Sequence, residues 1–299
     1  MSYVLALTLK IEMVSWAFLI GYPLVLGLVI MRFRPKGTFG TFWKAVGWLL
    51  IIMLLSIFGT FALGLEGLIC VAMAMVPMLA ATLLGGVIYL AMLRWRQEVA
   101  GGLQVTLLPL LAVAGLALPE TPPRSYEFIS EIVIKASPQV VFAALKSIPD
   151  IAPEEIATRP SQLLGVPKPT AAVWQDTPEG PDLALRHSYW GADVHFLERI
   201  TEITPDRRIA WDFDFPQGWA AEGIEDPHVT VGGPYFDVLS GSYDLTPVEG
   251  GTRLRLTTRT YDASGLGNYA WFWHRFFITD FNALILSLVK ARVEAGQST

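Results

Sequence analysis

The sequence predicts a chain of two unlike parts. Residues 1–119 read as an all-α region of four transmembrane helices. Residues 126–299 read as an α+β domain in which a curved antiparallel sheet wraps a long C-terminal helix, and a Pro-rich linker, 120–125, joins the two. Three observations predict this: four long uncharged runs in the first part, period-two alternation through Ala184–Phe213 and two later stretches, and a helical apolar stripe near the C-terminus.

Charge divides the chain at the same place. Residues 1–119 hold seven Lys/Arg (Lys10, Arg32, Arg34, Lys36, Lys44, Arg94, Arg96) and three acids (Glu12, Glu66, Glu98), a net charge of +4. The whole chain is −5, so the remainder carries −9. An acidic domain argues against nucleic acid, whose phosphates need clustered Lys/Arg. Composition is 53% hydrophobic and 16% charged, with a mean hydropathy of +0.45. The single cysteine, Cys70, allows no intrachain disulfide.

The uncharged runs are Met13–Met31, Ala45–Leu65, Gly67–Leu93 and Val99–Pro119. Each reaches the roughly 20 residues that a helix needs to cross a bilayer core. Gly101, Gly102, Gln104 and Pro109 dilute the fourth. Pro23, Pro77 and Pro109 are expected to kink their helices, a cost tolerated in lipid. Six Lys/Arg flank the first and third loops against two on the other side, Lys10 and Arg124. The excess of Lys/Arg in cytoplasmic loops then predicts an inner-membrane protein with its C-terminal domain on the extracytoplasmic side, provided the fourth segment spans. No charged residue lies within the runs, so a membrane anchor, with room for homo-oligomerisation, fits this part better than a transporter.

In the second part, Tyr126–Ala136 alternates as a strand. Ser137-Pro138 starts a helix, with Ser as cap and Pro in the first turn. The stretch from 184 to 213 predicts three antiparallel strands. A tight turn at Thr204–Arg207 pairs Ile203 with Arg208 and sets Ile200 opposite Trp211 and Glu198 opposite Phe213. A two-residue turn at Gly191-Ala192 pairs Trp190 with Asp193, which sets His187 opposite Phe196 and Leu185 opposite Glu198. The predicted inward row is then Leu183, Leu185, His187, Tyr189, Phe196, Glu198, Ile200, Ile209, Trp211 and Phe213, a row that a one-residue slip would invert. Pro216–Pro234 is long enough to be a lid and carries Trp219 and His228. Phe236–Pro247 and Thr252–Tyr261 form a hairpin that turns Gly241, Tyr243 and Leu245 to one face. Tyr269–Glu294 is a helix with Trp273, Phe277, Phe281, Leu284 and Leu288 along one stripe.

These residues resemble a family. Glu131-x-Val133-Ile134-Lys135-Ala136-Ser137-Pro138-x-x-Val141-Phe142 is similar to the opening strand and helix of the SRPBCC superfamily, the START-like and polyketide-cyclase-like helix-grip domains. Phe196-x-Glu198-x-Ile200 with Ile209-x-Trp211 resembles its middle strands, and Gly241 to Leu254 its late hairpin. The resemblance covers about residues 125–296. It implies a helix-grip fold with a deep hydrophobic cavity for lipids, sterols, polyketides or other apolar molecules. It leaves activity open, because one fold hosts many functions.

The candidate cavity residues are therefore Leu185, His187, Tyr189, Phe196, Glu198, Ile200, Trp211 and Phe213 from the sheet, with Tyr243, Trp273 and Phe277 from the hairpin and helix. Glu198 and His187 are the candidate acid and base. The plainer reading of Glu198 is a pair with a nearby Arg, and that of His187 a satisfied core or rim histidine. No spacing of His and Cys predicts a metal site, and no phosphate loop, dinucleotide fingerprint or nucleophile elbow is present, so no cofactor is expected. Three functions fit. The first is a membrane-anchored binder of a lipid-like ligand. The second is a cyclase- or dehydratase-like enzyme using Glu198 and His187, and the third a regulatory or assembly protein with a filled core.

Overall fold

A computed structural model describes residues 14–33, 42–63, 67–96, 121–176, 183–221, 224–225 and 229–296. The chain divides into two compact units, the first centred on residues 1–122 and the second on 123–299.

In the first unit, a short π turn, Ala17–Gly21, leads into α1 (Tyr22–Phe33), followed by α2 (Phe42–Ala62) and α3 (Leu68–Arg96). Pro23 offers no N–H to the preceding turn, which is the usual reason a helix widens or bends locally. Glycines let α1 and α3 meet backbone to backbone. A Cβ on Gly27 would lie 2.1 Å from the Thr82 carbonyl oxygen, and one on Gly85 would lie 2.0 Å from that of Leu24. Two helical stretches, Trp43–Thr60 and Leu68–Leu93, are long and apolar enough to cross a membrane, while Ala17–Phe33 is a shorter apolar helix. The expectation of four spanning helices is thus reduced to two of spanning length among the described residues. The expected span 99–119 lies outside those residues.

The second unit is a helix-grip arrangement. Its strands are β1 (Arg124–Ile134), β2 (Pro169–Asp176), β3 (Ala184–Trp190), β4 (Val194–Thr204), β5 (Arg208–Asp214), β6 (Phe236–Val248) and β7 (Gly251–Asp262). They form one antiparallel sheet in the order β1-β7-β6-β5-β4-β3-β2. Helices α4 (Pro138–Lys146) and α5 (Pro160–Leu163) fall between β1 and β2, and the long helix α6 (Asn268–Gly296) closes the chain. Pro138 starts α4 as expected, although the Ser137 side chain makes no capping bond. The dry core holds Ile134, Val141, Leu145, Ile200, Ile209, Leu254, Leu284 and Val289, each at most 3% exposed.

Register decides what faces that core. The β4–β5 pairing sets Ile200 opposite Trp211 and Glu198 opposite Phe213, as the sequence predicts. The turn differs: Thr204, not Ile203, pairs with Arg208, and a bulge between Ile200 and Glu202 absorbs the extra residue. The β3–β4 turn also differs, and nothing compensates there. Trp190 pairs with Val194, so the turn has three residues, with Gly191 in a left-handed conformation (φ +59°). Arg186 therefore opposes Glu198 and Ser188 opposes Phe196. Leu185, His187 and Tyr189, expected inside, stand on the other face of the sheet.

Candidate functional site

The inner surface of the sheet changes character along its strands. Past the dry core, the residues between sheet and α6 are aromatic, and each keeps part of its surface accessible: Trp190, Phe196, Phe213, Phe215 and Trp219 on the sheet side, and Trp273, Phe277 and Phe281 on the helix. Ring contacts join them into two rows. Along the sheet, Phe196 meets Phe213 at 5.9 Å and Phe215 at 5.4 Å, and Phe215 meets Trp219 edge-on at 4.9 Å. Along α6, Trp273 meets Phe277 at 6.0 Å and Phe277 meets Phe281 at 6.1 Å. The rows touch where Trp190 meets Phe281 edge-on at 5.5 Å. Half-accessible rings facing one another from two elements make an aromatic cleft, the lining that small-molecule sites favour.

The floor of this cleft is polar but closed. Glu198 is buried and accepts hydrogen bonds from Nε and Nη2 of Arg186 (2.6 Å for Nε) and from Ser188 Oγ (2.8 Å). Arg186 also donates through Nη1 to the Leu145 carbonyl at 2.8 Å. Its guanidinium lies 4.8 Å from the Trp211 ring centroid and 5.4 Å from that of Tyr243. Burial alone would lower the Arg186 pKa, but the Glu198 carboxylate and the Tyr243 phenol raise it above the ordinary arginine value. Burial pushes the Tyr243 phenol up to about 12, against the pull of Arg186. A guanidinium beside two aromatic rings that donates through two nitrogens to one carboxylate oxygen is geometry that Arg serves and Lys does not. Both Glu198 oxygens are engaged by Arg186 and Ser188, so the group is a counter-ion in a closed network.

His187 lies on the opposite face. Its Nδ1 is 3.1 Å from His195 Nε2, and its Nε2 is 2.9 Å from Gln175 Oε1. The two imidazoles are nearly parallel with centroids 5.3 Å apart, and Tyr189 stacks on His195 at 4.4 Å. Glu198 and His187 therefore do not share a site. Of the other expected residues, Phe196, Phe213, Trp273 and Phe277 line the cleft, Ile200 belongs to the dry core, and Trp211 and Tyr243 flank Arg186. Trp219 packs on Phe215, while His228 lies outside the described residues. Sequence reasoning passed over Arg186, Ser188 and Trp190. The signal was present in ALRHSYW: an inward Glu198 calls for a cation, and Arg186 is the nearest one along the paired strand. Among the described residues no group of three or more His, Cys, Asp or Glu could hold a metal ion.

No family model matches the chain, and no curated protein matches it. Solved structures similar to it include the Aha1 dimer from Colwellia psychrerythraea, at 18% identity over 57% of this chain and 98% of that one, with a TM-score of 0.32. The di-domain ARO/CYC StfQ from the steffimycin biosynthetic pathway is similar at 15% identity over 58% of this chain and 52% of that one, TM-score 0.39. A Thalictrum norcoclaurine synthase point mutant in complex with a transition-state analogue is similar at 9% identity over 60% and 99%, TM-score 0.37. With TM-scores below 0.5 these are likenesses only. The helix-grip arrangement stands on the chain's own sheet order and long C-terminal helix.

Proposed function

We propose that this is a membrane-anchored protein whose C-terminal domain binds a hydrophobic, lipid-like molecule in the aromatic cleft. The observation that carries the reading is the pair of partly accessible aromatic rows, one on the sheet and one on α6, which touch at Trp190 and Phe281 beside a dry core. Rings left partly wet inside a fold are unfinished burial, and an apolar guest completes it. The anchor reading is supported by α2 and α3, whose large apolar side chains stand outward: Leu55 is 69% and Val76 67% exposed. The balance of Lys/Arg in the loops supports an inner-membrane location with the C-terminal domain extracytoplasmic. The acid–base alternative requires Glu198 and His187 together, and the sheet separates them.

The test uses the full chain, purified in detergent, by native mass spectrometry followed by organic extraction. A discrete apolar adduct is expected on the wild type and is expected to be lost on Phe277→Glu, which puts a charge at a half-accessible cleft position. A bare wild-type protein that also takes up no 2-ethylnaphthalene above the level of empty lipid nanodiscs would overturn the reading in favour of a filled, regulatory domain.

A further inference from the structure

The first turns of α6 carry an aromatic surface on the outside of the domain. Trp271 is 39% and Phe272 52% exposed, while Ala270 and His274, their neighbours on the helix, are buried. With Tyr126 of β1 and Asn268 they line an open hollow of about 390 Å³. The Tyr126 ring meets His274 edge-on at 5.2 Å, which brings the first residues of β1 against the first turns of α6. Two cations stand at the same end. The Arg275 guanidinium lies over the Trp271 ring, 5.3 Å from its centroid, and Arg124 opens β1 two residues before Tyr126. Outward Trp beside Tyr and Arg is the mixture that a membrane–water interface favours. Each has an apolar body and a polar tip, and Arg adds a charge that suits lipid phosphates.

The chain itself limits how far this surface can stand from the apolar region. The uncharged run 99–119 ends two residues before Thr121. The Thr121 hydroxyl donates to the Gly265 carbonyl at 2.6 Å, and Gly265 precedes Asn268, the first residue of α6, by three. At no more than about 3.6 Å per residue, these five residues and one hydrogen bond keep the start of α6 within roughly 20 Å of the end of the run. Pro122 and Pro123 stiffen the joint. The opposite end of the sheet, at the β6–β7 turn, lies farther off by the length of β7, roughly 35 Å. On the anchor reading, the end of the domain tied closest to the bilayer is therefore the end that bears Trp271 and Phe272.

We infer that Tyr126, Trp271 and Phe272, flanked by Arg124 and Arg275, form a docking surface for the lipid bilayer, with the two outward rings at the level of the headgroups. The inference rests on the anchor reading, and the experiment separates the two. Full-length protein in which Cys70→Ser removes the native thiol receives one new cysteine at a time: Phe272→Cys, Leu84→Cys or Glu249→Cys. Leu84 stands outward on the apolar helix Leu68–Leu93, and Glu249 is exposed in the β6–β7 turn. Each is labelled with an NBD fluorophore and placed in nanodiscs of phosphatidylcholine and phosphatidylglycerol. A nitroxide high on the acyl chain should quench the Phe272→Cys label, one low on the chain should quench the Leu84→Cys label, and neither should quench the Glu249→Cys label. Emission of the Phe272→Cys label should also lie to the blue of that of the Glu249→Cys label.

If the Phe272→Cys label is as open to aqueous iodide as the Glu249→Cys label, while lipid still quenches the Leu84→Cys label, the docking surface is overturned and the anchor stands. A Phe272→Cys label shielded from lipid and iodide alike overturns it as well, in favour of a protein that covers the face. A Leu84→Cys label that lipid does not quench removes anchor and docking together. Brominated lipid gives a readout without a label: the indole fluorescence lost to it should be smaller in Trp271→Phe than in the wild type, and an equal loss would count against the inference.

Discussion

Arg186 has left water completely, and its charge is tolerable only because Glu198, Ser188 and the Leu145 carbonyl satisfy the pair from all sides. Removing one member of a buried ion pair strands the other, at a cost of about 3–5 kcal/mol, whereas replacing both with apolar groups of similar volume is often neutral or better. Glu198→Gln should therefore destabilise the domain by about that amount in urea melts followed by near-UV circular dichroism. Arg186→Met combined with Glu198→Leu should recover most of the loss. If Glu198→Gln melts like the wild type, Glu198 is not the counter-ion of Arg186. The histidines give a separate pH prediction. Burial lowers the pKa of His274, which Asp262 only partly offsets, and burial together with the His187 charge lowers that of His195. A folded pKa below the unfolded value of 6.5 means that the unfolded chain binds more protons, so stability is complete above about pH 6.5 and falls as pH drops through the lower folded values. Carboxylates act later. Arg292 holds Glu155 at about 2, and Ser161 and Arg159 lower Asp280 against the opposing effect of burial, so their contributions fade only below about pH 4.5. Melts between pH 5 and 8 should show a slope that His195→Gln and His274→Gln together flatten. A slope unchanged in that double variant would remove the histidines as its source.

At the scale of elements, a single extra turn residue redistributes the site. The alternation in β3 was legible, and so was the face of β4 and β5, because Ile200, Trp211 and Phe213 cannot all be left wet. Turn length was not legible, since Gly191-Ala192-Asp193 supports a two- or a three-residue turn equally well, and strand parity follows turn length. The half-accessible rings of the cleft could be listed from sequence but not distinguished from core, because alternation reports the face and not the degree of burial. Glycine at 241 was legible only as a strand residue. Its role is to let the Trp211 indole cross β6, so Gly241→Ala should force that ring to move and cost about 1–3 kcal/mol in the same melts. Wild-type stability in Gly241→Ala would mean that the indole has another place to lie. Helix α5 shows a comparable dependence across elements. Asp280 of α6 accepts from the Ser161 backbone N–H at 3.1 Å, from its hydroxyl at 2.5 Å and from Arg159 Nε at 2.8 Å. With only four residues, α5 has little stability of its own. Asp280→Ala should raise amide exchange across 160–166 selectively; uniform exchange over the domain would show instead that Asp280 supports the whole core.

For the whole molecule, the proposed anchor raises the question of which side of a membrane the acidic domain would occupy. The helices at Trp43–Thr60 and Leu68–Leu93 have the length and composition to span, and Gly27 and Gly85 let α1 pack on α3 at backbone distance, as small residues do where lipid offers no hydrophobic drive between helices. If both cross, the Lys/Arg-rich segments Arg32–Lys44 and Arg94–Arg96 lie on the same side, and the bias of such residues toward the cytoplasm makes that side cytoplasmic. Everything then depends on residues 99–119, whose Gly101, Gly102, Gln104 and Pro109 weaken an otherwise uncharged run of adequate length. Spanning places the cleft outside the cytoplasm, where an apolar guest would reach it from the outer leaflet or a periplasmic carrier; failure to span leaves it facing the cytoplasm. Alkaline phosphatase folds only on the oxidising, extracytoplasmic side. A fusion after Thr299 is therefore expected to be active in a bacterial host, and one after Arg96 inactive. Inactivity of a well-expressed Thr299 fusion, with activity gained by a fusion after Leu65, would assign residues 99–119 to the cytoplasmic surface and move the ligand supply to the inner leaflet.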